Sequence, residues 1–270
     1  MKLAVIPNYQ MAGCAEALEK VCAALRERGV DYRVSTDTAF PPQDLESCLA
    51  EADAVIALGG DGTILHCIKC AAAFEKPVLG INSGRLGFMA GLELNELDQL
   101  DRLLNGDYTV ERRMMLDVTV SGADGEVSCR ALNEAVVSRG ALSRMIEITV
   151  KNGEASVGSY QADGVIVATP TGSTAYSLSA GGAILAPEVP VFMMTPICAF
   201  STRTRPIVFS DAEEFTLRIK KGKSIILSDG RVIAALPENG VIHIKKAPFT
   251  ADFPVKSTPP YTAVPDHLFT

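Results

Sequence analysis

In the N-terminal part of the chain, short apolar runs alternate with segments whose apolar residues recur every three or four positions. The short runs are typical of buried strands, and the spaced segments are typical of amphipathic helices. The predicted strands cover residues 2–7, 30–35, 53–58 and 77–81. The predicted helices cover residues 12–28, 43–50, 64–74 and 94–104. Alternation of this kind predicts an α/β fold with a Rossmann-like, mostly parallel sheet and helices on both of its faces.

From about residue 108 the pattern changes to short β-rich runs separated by turn residues. The predicted strands there include residues 115–120, 130–138, 145–150, 215–219, 225–227 and 241–244. Strands at this spacing are typical of a β-sandwich or a barrel. We therefore predict an α/β domain over residues 1–108 and an all-β sandwich domain over residues 109–249. The proline-rich segment after Pro248 lacks periodicity and predicts an extended tail.

Composition limits the classes of function. The 270 residues carry 25 Lys and Arg against 32 Asp and Glu, a net charge of −7. Because non-specific nucleic-acid binding needs many Lys and Arg contacts to phosphates, we expect no nucleic-acid partner. The apolar run that starts at Leu3 stops at Pro7, so we expect a cytoplasmic protein without a membrane partner. Seven cysteines, with no second metal-type pair beside Cys67 and Cys70, are expected to be reduced core residues.

The first segment with distinctive chemistry is residues 59–63, Gly-Gly-Asp-Gly-Thr, between a predicted strand and a predicted helix. Three glycines around Asp61 leave the backbone open, so that N–H groups at the start of a helix can approach a phosphate. The alternative is a glycine-rich turn in which Asp61 caps the helix. Because a helix cap needs no such open backbone, the pattern favours a nucleotide site.

Two further segments carry small or polar groups in unusual places. Residues 163–182 form a predicted strand, then a loop of Ser, Thr and Gly residues, then a short helix. Between residues 164 and 202 the only Asp, Glu, Lys, Arg or His is Glu188. Closely spaced hydroxyl groups and backbone donors can bind a ribose, an amide or a base edge without adding charge. Asn133 and Glu134 interrupt an apolar run, so one of them must be buried or lie at an opening.

Other motifs do not fit. Residues 222–224 resemble the end of a P-loop, but Leu217 stands where the first glycine of that motif is needed. The nucleophile elbow G-x-S-x-G does not occur. The three histidines are scattered, so histidine-based catalysis is not expected.

Taken together, these segments resemble NAD kinases, the enzymes that phosphorylate NAD to NADP. Residues 59–63 alone are shared with phosphofructokinases and diacylglycerol-type lipid kinases. The specific feature is the combination, in the NAD kinase order and spacing, with residues 80–88 (Gly-Ile-Asn-Ser-Gly-Arg-Leu-Gly-Phe), Asn133-Glu134, residues 163–182 and Arg205-Pro206. The resemblance extends from the first strand to about residue 250.

The resemblance implies the reaction and the site. The γ-phosphoryl group of ATP, or of polyphosphate, would pass to the 2′-hydroxyl of the adenosine ribose of NAD, with Mg²⁺ or another divalent cation as cofactor. Asp61 matches the catalytic aspartate of the family. The implied phosphate-binding residues are Gly59, Gly60, Thr63 and Arg85. The implied NAD-binding residues are Gly62, Phe88, Asn133, Glu134, Arg144, Gln161, Asp163, Thr174, Ala175, Tyr176, Ser179 and Arg231.

The resemblance also implies an architecture and an assembly. The family combines an α/β domain with a β-sandwich and returns its C-terminal tail, here about residues 250–270, to the first domain. Its members form homodimers or homotetramers with sites near subunit boundaries. One departure stands at Ala199-Phe200, where the family has Pro-His after the cysteine. The alternatives are a lipid or sugar kinase with the same glycine motif, or a nucleotide-sensing module without turnover.

Overall fold

The computed structural model describes residues 1–83, 89, 91–122, 125–140 and 144–255. The chain forms two compact units. One contains residues 1–112 and the segment that begins at Phe249, and the other contains residues 113–248. Among the helices described, none has both the length and the apolar composition that crossing a lipid bilayer requires.

Strands and helices alternate in the first unit. The strands are β1 (Lys2–Pro7), β2 (Asp31–Val34), β3 (Ala54–Gly59), β4 (Val78–Asn82) and β5 (Leu92–Glu93). The helices are α1 (Cys14–Glu27), α2 (Leu45–Glu51), α3 (Asp61–Ala72) and α4 (Leu100–Leu104). The five strands are parallel and lie in the order β2-β1-β3-β4-β5, which confirms the predicted α/β class. A separate two-stranded sheet pairs β6 (Thr109–Arg113) with β19 (Ala251–Val255).

The central strands of this sheet are covered on both faces. All of β3 is buried, as is all of β1 after Lys2, so both strands are continuous apolar runs instead of alternating ones. Because the strands are parallel, their carboxyl ends, with Pro7, Gly59 and Asn82, lie along one edge of the sheet. Ligands of open α/β sheets bind at this kind of edge.

The predicted helix over residues 94–104 is interrupted. A 3₁₀ helix covers Leu94–Gln99, and α4 follows it. The break is at Glu96, whose φ of −113° and ψ of 18° are not helical. The carboxylate of Glu96 accepts a hydrogen bond of 3.0 Å from the N–H of Glu93. This local capping interaction competes with a regular α-helix, which the spacing of apolar residues alone does not reveal.

The described part of the second unit consists mainly of two six-stranded antiparallel sheets. The first, here called the β7 sheet, contains β7 (Leu116–Gly122), β8 (Gly125–Ala131), β10 (Ile146–Asn152), β11 (Ala155–Ala162), β15 (Phe215–Lys221) and β18 (Val241–Lys246). The second, the β9 sheet, contains β9 (Glu134–Arg139), β12 (Gly164–Ala168), β13 (Val191–Ile197), β14 (Ile207–Ser210), β16 (Ser224–Ser228) and β17 (Arg231–Leu236). A 3₁₀ helix at Thr171–Thr174 and helix α5 (Tyr176–Ser179) follow β12.

The two sheets share one apolar core, so the second unit is a β-sandwich as predicted. Alternate residues from strands of both sheets are buried in a single cluster. Phe192 on β13 and Phe215 on β15 join the sheets, with an edge-to-face contact and ring centroids 5.8 Å apart. Both rings are almost completely buried.

The predicted strand over residues 130–138 is wrong as a single element. β8 ends at Ala131 in the β7 sheet, and β9 begins at Glu134 in the β9 sheet. The chain therefore crosses from one sheet to the other at Leu132 and Asn133. Because the strands on both sides of this crossing bury side chains in the same core, the apolar pattern continues without a visible break.

Candidate functional site

Residues 59–63 lie at the carboxyl end of β3 and at the start of α3. Gly60 precedes the helix with an extended backbone, and Asp61 is the first helical residue. A Cβ atom on Gly59 would lie 2.6 Å from Oγ1 of Thr63, so this close return of the helix to the strand needs glycine. A Cβ atom on Gly62 would meet no described atom within 4 Å. Packing thus explains the glycine at position 59, whereas packing against the described atoms does not explain the one at position 62.

Asp61 is half-buried at the N-terminus of α3. Its Oδ1 accepts a hydrogen bond of 3.1 Å from the N–H of Met89. The helix dipole stabilises a carboxylate at this end of a helix. Backbone contact and helix position together orient the Asp61 carboxyl group at the edge where ligands of such sheets bind.

The loop after β1 contacts the glycine segment through two side chains. Nδ2 of Asn8 donates to Oγ1 of Thr63 over 2.8 Å, and the N–H of Gly60 donates to the sulfur of Met11 over 3.2 Å. A thioether is a weak acceptor, so a phosphate oxygen would be a better partner for the same N–H. Sequence reasoning missed Asn8 and Met11, because the only signal for them was the predicted end of a strand at Pro7.

Residues 80–88 begin at the same edge of the sheet. Asn82 ends β4 directly beside Gly59. The N–H of Ser83 donates to the carbonyl oxygen of Gly59 over 3.3 Å, which ties the two segments together. Two predicted contacts, Arg85 to phosphate and Phe88 to NAD, lie outside the described residues.

In the second unit, Glu134 is a buried carboxyl group at the start of β9. It is 5% exposed and accepts a hydrogen bond from the N–H of Tyr176. Burial, with a smaller contribution from the carboxylate of Asp229, raises the pKa of Glu134 to about 7. Its Oε2 has no hydrogen-bond partner among the described residues. A buried oxygen without a partner is unfavourable, so a donor from a ligand would stabilise it.

Residues 163–182 contain β12, a strand of the β9 sheet, and the two short helices that follow it. β12 is buried along its whole length. A Cβ atom on Gly172 would lie 2.0 Å from the carbonyl oxygen of Asn133, so this segment contacts the crossing directly. The fold thereby brings the 174–179 segment together with Asn133 and Glu134. Of its predicted contact residues, Ala175 is half-buried, and the exposed ones are Thr174, Tyr176 and Ser179.

Three charged residues from the prediction lie elsewhere on the sandwich. Asp163 is paired with Arg139, with 2.8 Å between Oδ1 and Nε. Arg144 is exposed just before β10, in the other sheet. Arg231 is exposed at the start of β17, directly after a turn that contacts the backbone of Glu134. Within the described part of the chain, no hydrogen bond links Asp163 or Arg144 to Glu134.

The departure at Ala199-Phe200 lies beside Gln161. The N–H of Phe200 donates to the carbonyl oxygen of Gln161 over 2.8 Å, and the Gln161 side chain is exposed on β11. The Phe200 side chain is 73% exposed. Cys198, two residues earlier, is also exposed and has a φ of 46°. The chain therefore presents an aromatic ring where the family resemblance leads one to expect a titratable imidazole.

All seven cysteines are free thiols. The prediction that they are core residues is confirmed for Cys14, Cys22, Cys48 and Cys67. Burial raises the pKa of the Cys67 thiol. Cys70 and Cys129 are half-buried, and Cys198 is exposed. Over the described ranges, no group of three or more His, Cys, Asp or Glu side chains is placed to hold a metal ion.

Sequence reasoning also missed Asp229, in the turn between β16 and β17. Its carboxylate accepts hydrogen bonds from the N–H groups of Leu132, Asn133 and Glu134. The available signal was the pair Asp229-Gly230 between two apolar runs, which is typical of a hairpin turn. That pattern predicts the turn but not the partners of its carboxylate.

Both halves of the chain match known families. The ATP-NAD kinase N-terminal domain matches residues 15–108, and the ATP-NAD kinase C-terminal domain matches residues 132–254. The NAD kinase of Thermoanaerobacter pseudethanolicus is 43% identical over 278 residues, which cover 99% of this chain and 98% of that protein. The NAD kinase of Moorella thermoacetica is 39% identical over 254 residues, which cover 91% of this chain and 82% of that protein.

Solved structures are similar over the same length. Yeast NADH kinase in complex with NADH has the same fold, with a TM-score of 0.91 at 23% identity, over 100% of this chain and 87% of that one. An NAD kinase from Archaeoglobus fulgidus in complex with ATP has a TM-score of 0.78 at 28% identity, over 98% of this chain and 97% of that one. Because both domain families match and the relatives align along nearly the whole chain, the chain belongs to the ATP-NAD kinase family of phosphotransferases.

Proposed function

We propose that this chain transfers the γ-phosphoryl group of ATP to the 2′-hydroxyl of the adenosine ribose of NAD, which produces NADP. The observation that carries the proposal is the buried Glu134 carboxyl group, whose Oε2 has no partner in the described structure. The 59–63 motif alone would also suit a lipid or sugar kinase. A hydroxyl of a bound nucleotide or sugar would supply the missing donor, and the match of both halves of the chain to ATP-NAD kinase domains favours the nucleotide.

The NAD site is assigned to the residues around Glu134 and to Gly62. The exposed Thr174, Tyr176 and Ser179 suit ribose hydroxyls and amides, because they offer donors and acceptors without charge. The open space beside Gly62 suits the close approach of a ribose to the helix. The further NAD contacts in this proposal are Phe88, Asn133, Arg144, Gln161, Asp163, Ala175 and Arg231.

Asp61 is the proposed catalytic base. The 2′-hydroxyl oxygen of NAD forms a bond to the γ-phosphorus of ATP, and the bond from that phosphorus to the β,γ-bridging oxygen breaks, so that ADP leaves. The proton of the hydroxyl passes to the Asp61 carboxylate. Phosphoryl transfer depends on positioning and charge stabilisation more than on covalent catalysis, so one oriented carboxylate beside a glycine-rich phosphate site suits the reaction.

Mg²⁺ is the proposed metal cofactor. Proteins usually hold Mg²⁺ through one or two carboxylates together with substrate phosphates and waters. Asp61 would supply a hard oxygen ligand at the glycine segment, and such a site would need no larger acidic cluster, which the described ranges do not contain. The bound cation would neutralise the developing charge on the phosphates.

The same proposal assigns the two substrates to different domains. Residues 1–108 with the tail would bind the phosphates of ATP, because the glycine segment lies there. Residues 109–249 would bind most of NAD, because Glu134 and its neighbours lie there. We further propose that the chain works as a homodimer or homotetramer in the cytoplasm, in keeping with its free cysteines.

A coupled assay tests the proposed reaction. The protein is incubated with NAD, ATP and Mg²⁺, and the NADP formed is measured with an NADP-specific dehydrogenase. We expect NADP to form, and the signal to vanish when EDTA removes the divalent cation. Parallel reactions replace ATP by polyphosphate, and NAD by fructose 6-phosphate or diacylglycerol. Phosphorylation of one of these last acceptors without any NADP formation would refute the proposal.

A further inference from the structure

The turn between β16 and β17 contains a carboxylate that the turn itself does not require. Ser228 pairs with Arg231, so the loop consists of Asp229 and Gly230, with φ of 47° and 76°. These angles are typical of a type I′ turn, which Asn and Gly adopt as readily as Asp. Turn geometry therefore does not explain why an acid stands at position 229.

The Asp229 carboxylate binds three consecutive backbone N–H groups. Its Oδ2 accepts from Leu132 over 3.0 Å, and its Oδ1 accepts from Asn133 over 2.8 Å and from Glu134 over 3.1 Å. In the other direction, the N–H of Asp229 donates to the carbonyl oxygen of Glu134 over 3.0 Å. Leu132 and Asn133 form the crossing between the sheets and belong to no strand. Their N–H groups bind the Asp229 carboxylate instead of the carbonyl groups of a neighbouring strand.

The carbonyl groups of the same crossing are held by Thr169. Its Oγ1 donates to the carbonyl oxygen of Leu132 over 2.6 Å, and its N–H donates to that of Asn133 over 2.9 Å. Donors from Thr169 and acceptors from Asp229 thus fix both kinds of backbone group in the crossing. The directions of the Asn133 and Glu134 side chains follow from this backbone.

The charge at position 229 is unfavourable for Glu134. Asp229 acts on Glu134 as a like charge, which adds to the effect of burial on that carboxyl group. An asparagine would keep the turn and avoid the repulsion, but one of its two side-chain atoms would be an NH₂ donor. That donor would face the N–H of Leu132, so one hydrogen bond would be lost. Only a carboxylate of this size satisfies all three N–H groups.

We infer that Asp229 is a positioning residue of the nucleotide site, which fixes the crossing so that the side chains of Asn133 and Glu134 face NAD together. The inference rests on the proposed function, because it takes NAD as the ligand of this pair. Asp229 acts through the backbone of its neighbours and is not itself assigned a contact with NAD.

The test compares Asp229→Asn with Glu238→Gln in the NADP assay. Glu238 is a matched control, because it is an exposed turn carboxylate of the same unit that accepts one backbone hydrogen bond, 3.0 Å from the N–H of Gly222. We expect Asp229→Asn to raise the KM for NAD about 10- to 100-fold, because a displaced crossing moves the Glu134 carboxylate away from its ligand donor, and a hydrogen bond to a charged group contributes about that factor. The KM for ATP should stay within about twofold, and Glu238→Gln should match the wild type. Partial unfolding would lower the apparent kcat without this selective change in KM.

A second readout is the pH dependence of the KM for NAD. The groups that act on the Glu134 carboxyl from the neighbouring elements are the Asp229 carboxylate and the N–H of Tyr176. Removal of the charge at position 229 ends a like-charge repulsion, so the inflection should move to lower pH in Asp229→Asn. It should stay in place in Glu238→Gln.

Each result decides between the two proposals. If the wild type forms NADP and Asp229→Asn keeps the wild-type KM for NAD, the positioning role is wrong and the proposed function stands. If the wild type forms no NADP, the proposed function fails and the inference fails with it. If Asp229→Asn does not fold, Asp229→Ser, which keeps one acceptor in the turn, takes its place. Its KM for NAD then decides the positioning role by the same criterion. If neither variant folds, Asp229 is a folding residue and the positioning role is rejected.

Discussion

The backbone N–H of Tyr176 donates a hydrogen bond to the carboxyl group of Glu134, while Oε2 of the same group has no partner in the described chain. Burial and the nearby Asp229 raise the pKa of Glu134 to about 7, so this group changes its charge near neutral pH. A ligand hydroxyl that donates to Oε2 favours the ionised form. If NAD supplies that hydroxyl, as proposed, its binding and the ionisation of Glu134 are linked.

The first prediction concerns the pH dependence of NAD binding. Because the ionised Glu134 is the better acceptor, the KM for NAD in the wild type should fall as pH rises through about 7. In Glu134→Gln this pH dependence should disappear, and the KM should be about tenfold or more above that of the wild type at pH 8. Initial rates of NADP formation at several pH values on both sides of pH 7 give the KM for NAD of the wild type and of Glu134→Gln. A KM that rises with pH in the wild type would contradict the acceptor role.

The second prediction concerns stability. The pKa of Glu134 is raised from 4.5 to about 7, so between these values the folded state holds a proton that the unfolded state releases. Stability from this group is therefore lost as pH rises through that window, by roughly 3 kcal/mol at most. Glu134→Gln lacks this loss. Its free energy of unfolding minus that of the wild type should therefore be larger at pH 8 than at pH 5. Urea unfolding of both proteins at the two pH values measures this difference in stability. The same difference at pH 5 and at pH 8 would contradict the prediction.

The third prediction concerns Asp61. Asp61→Asn keeps an oxygen that can accept from the N–H of Met89 but removes the proton acceptor. We expect kcat to fall by roughly 10²–10⁴-fold while the Kd for NAD, measured by calorimetry, changes little. The control is Asp53→Asn, because Asp53 lies at the opposite end of β3 and binds the N–H of Lys2. Residual activity of Asp61→Asn close to that of this control would exclude a catalytic base at position 61.

The fourth prediction compares two glycines of one motif. A Cβ atom on Gly62 meets no described atom, and alanine favours a helix over glycine by about 1 kcal/mol at most, so Gly62→Ala should be at least as stable as the wild type. Because the open space is assigned to the ribose of NAD, its kcat/KM should nevertheless fall about tenfold or more. Gly59→Ala should instead lose about 1–3 kcal/mol of stability, since its Cβ would collide with Thr63. Thermal unfolding and NADP assays on both variants separate these effects, and a fully active Gly62→Ala would refute the assignment.

Local patterns in the sequence were sufficient for the four main strands of the α/β half and for the glycine segment. Gly59 and Thr63 are four residues apart, and the contact between them follows from one strand, one turn and one helix. Because such interactions join residues close together in the chain, a local sequence pattern can reveal them. The strands β11, β14 and β17 were not predicted, and each lies at the edge of a sheet, where exposure weakens the apolar pattern. The strand β13 was not predicted either, although it is buried inside its sheet.

The sequence by itself thus determined the fold class, the family resemblance and the position of Asp61 between a strand and a helix. Only the tertiary structure decided that Glu134 is buried, that its pKa lies near 7, and that Asp229 holds the backbone beside it. Asp229 and Leu132 are 97 residues apart and meet because the chain changes sheets between β8 and β9. Apolar periodicity reports which face of an element is buried, but it contains no information about which distant turn supplies acceptors to a crossing. That contact depends on strand order and register, which are properties of the folded sandwich as a whole.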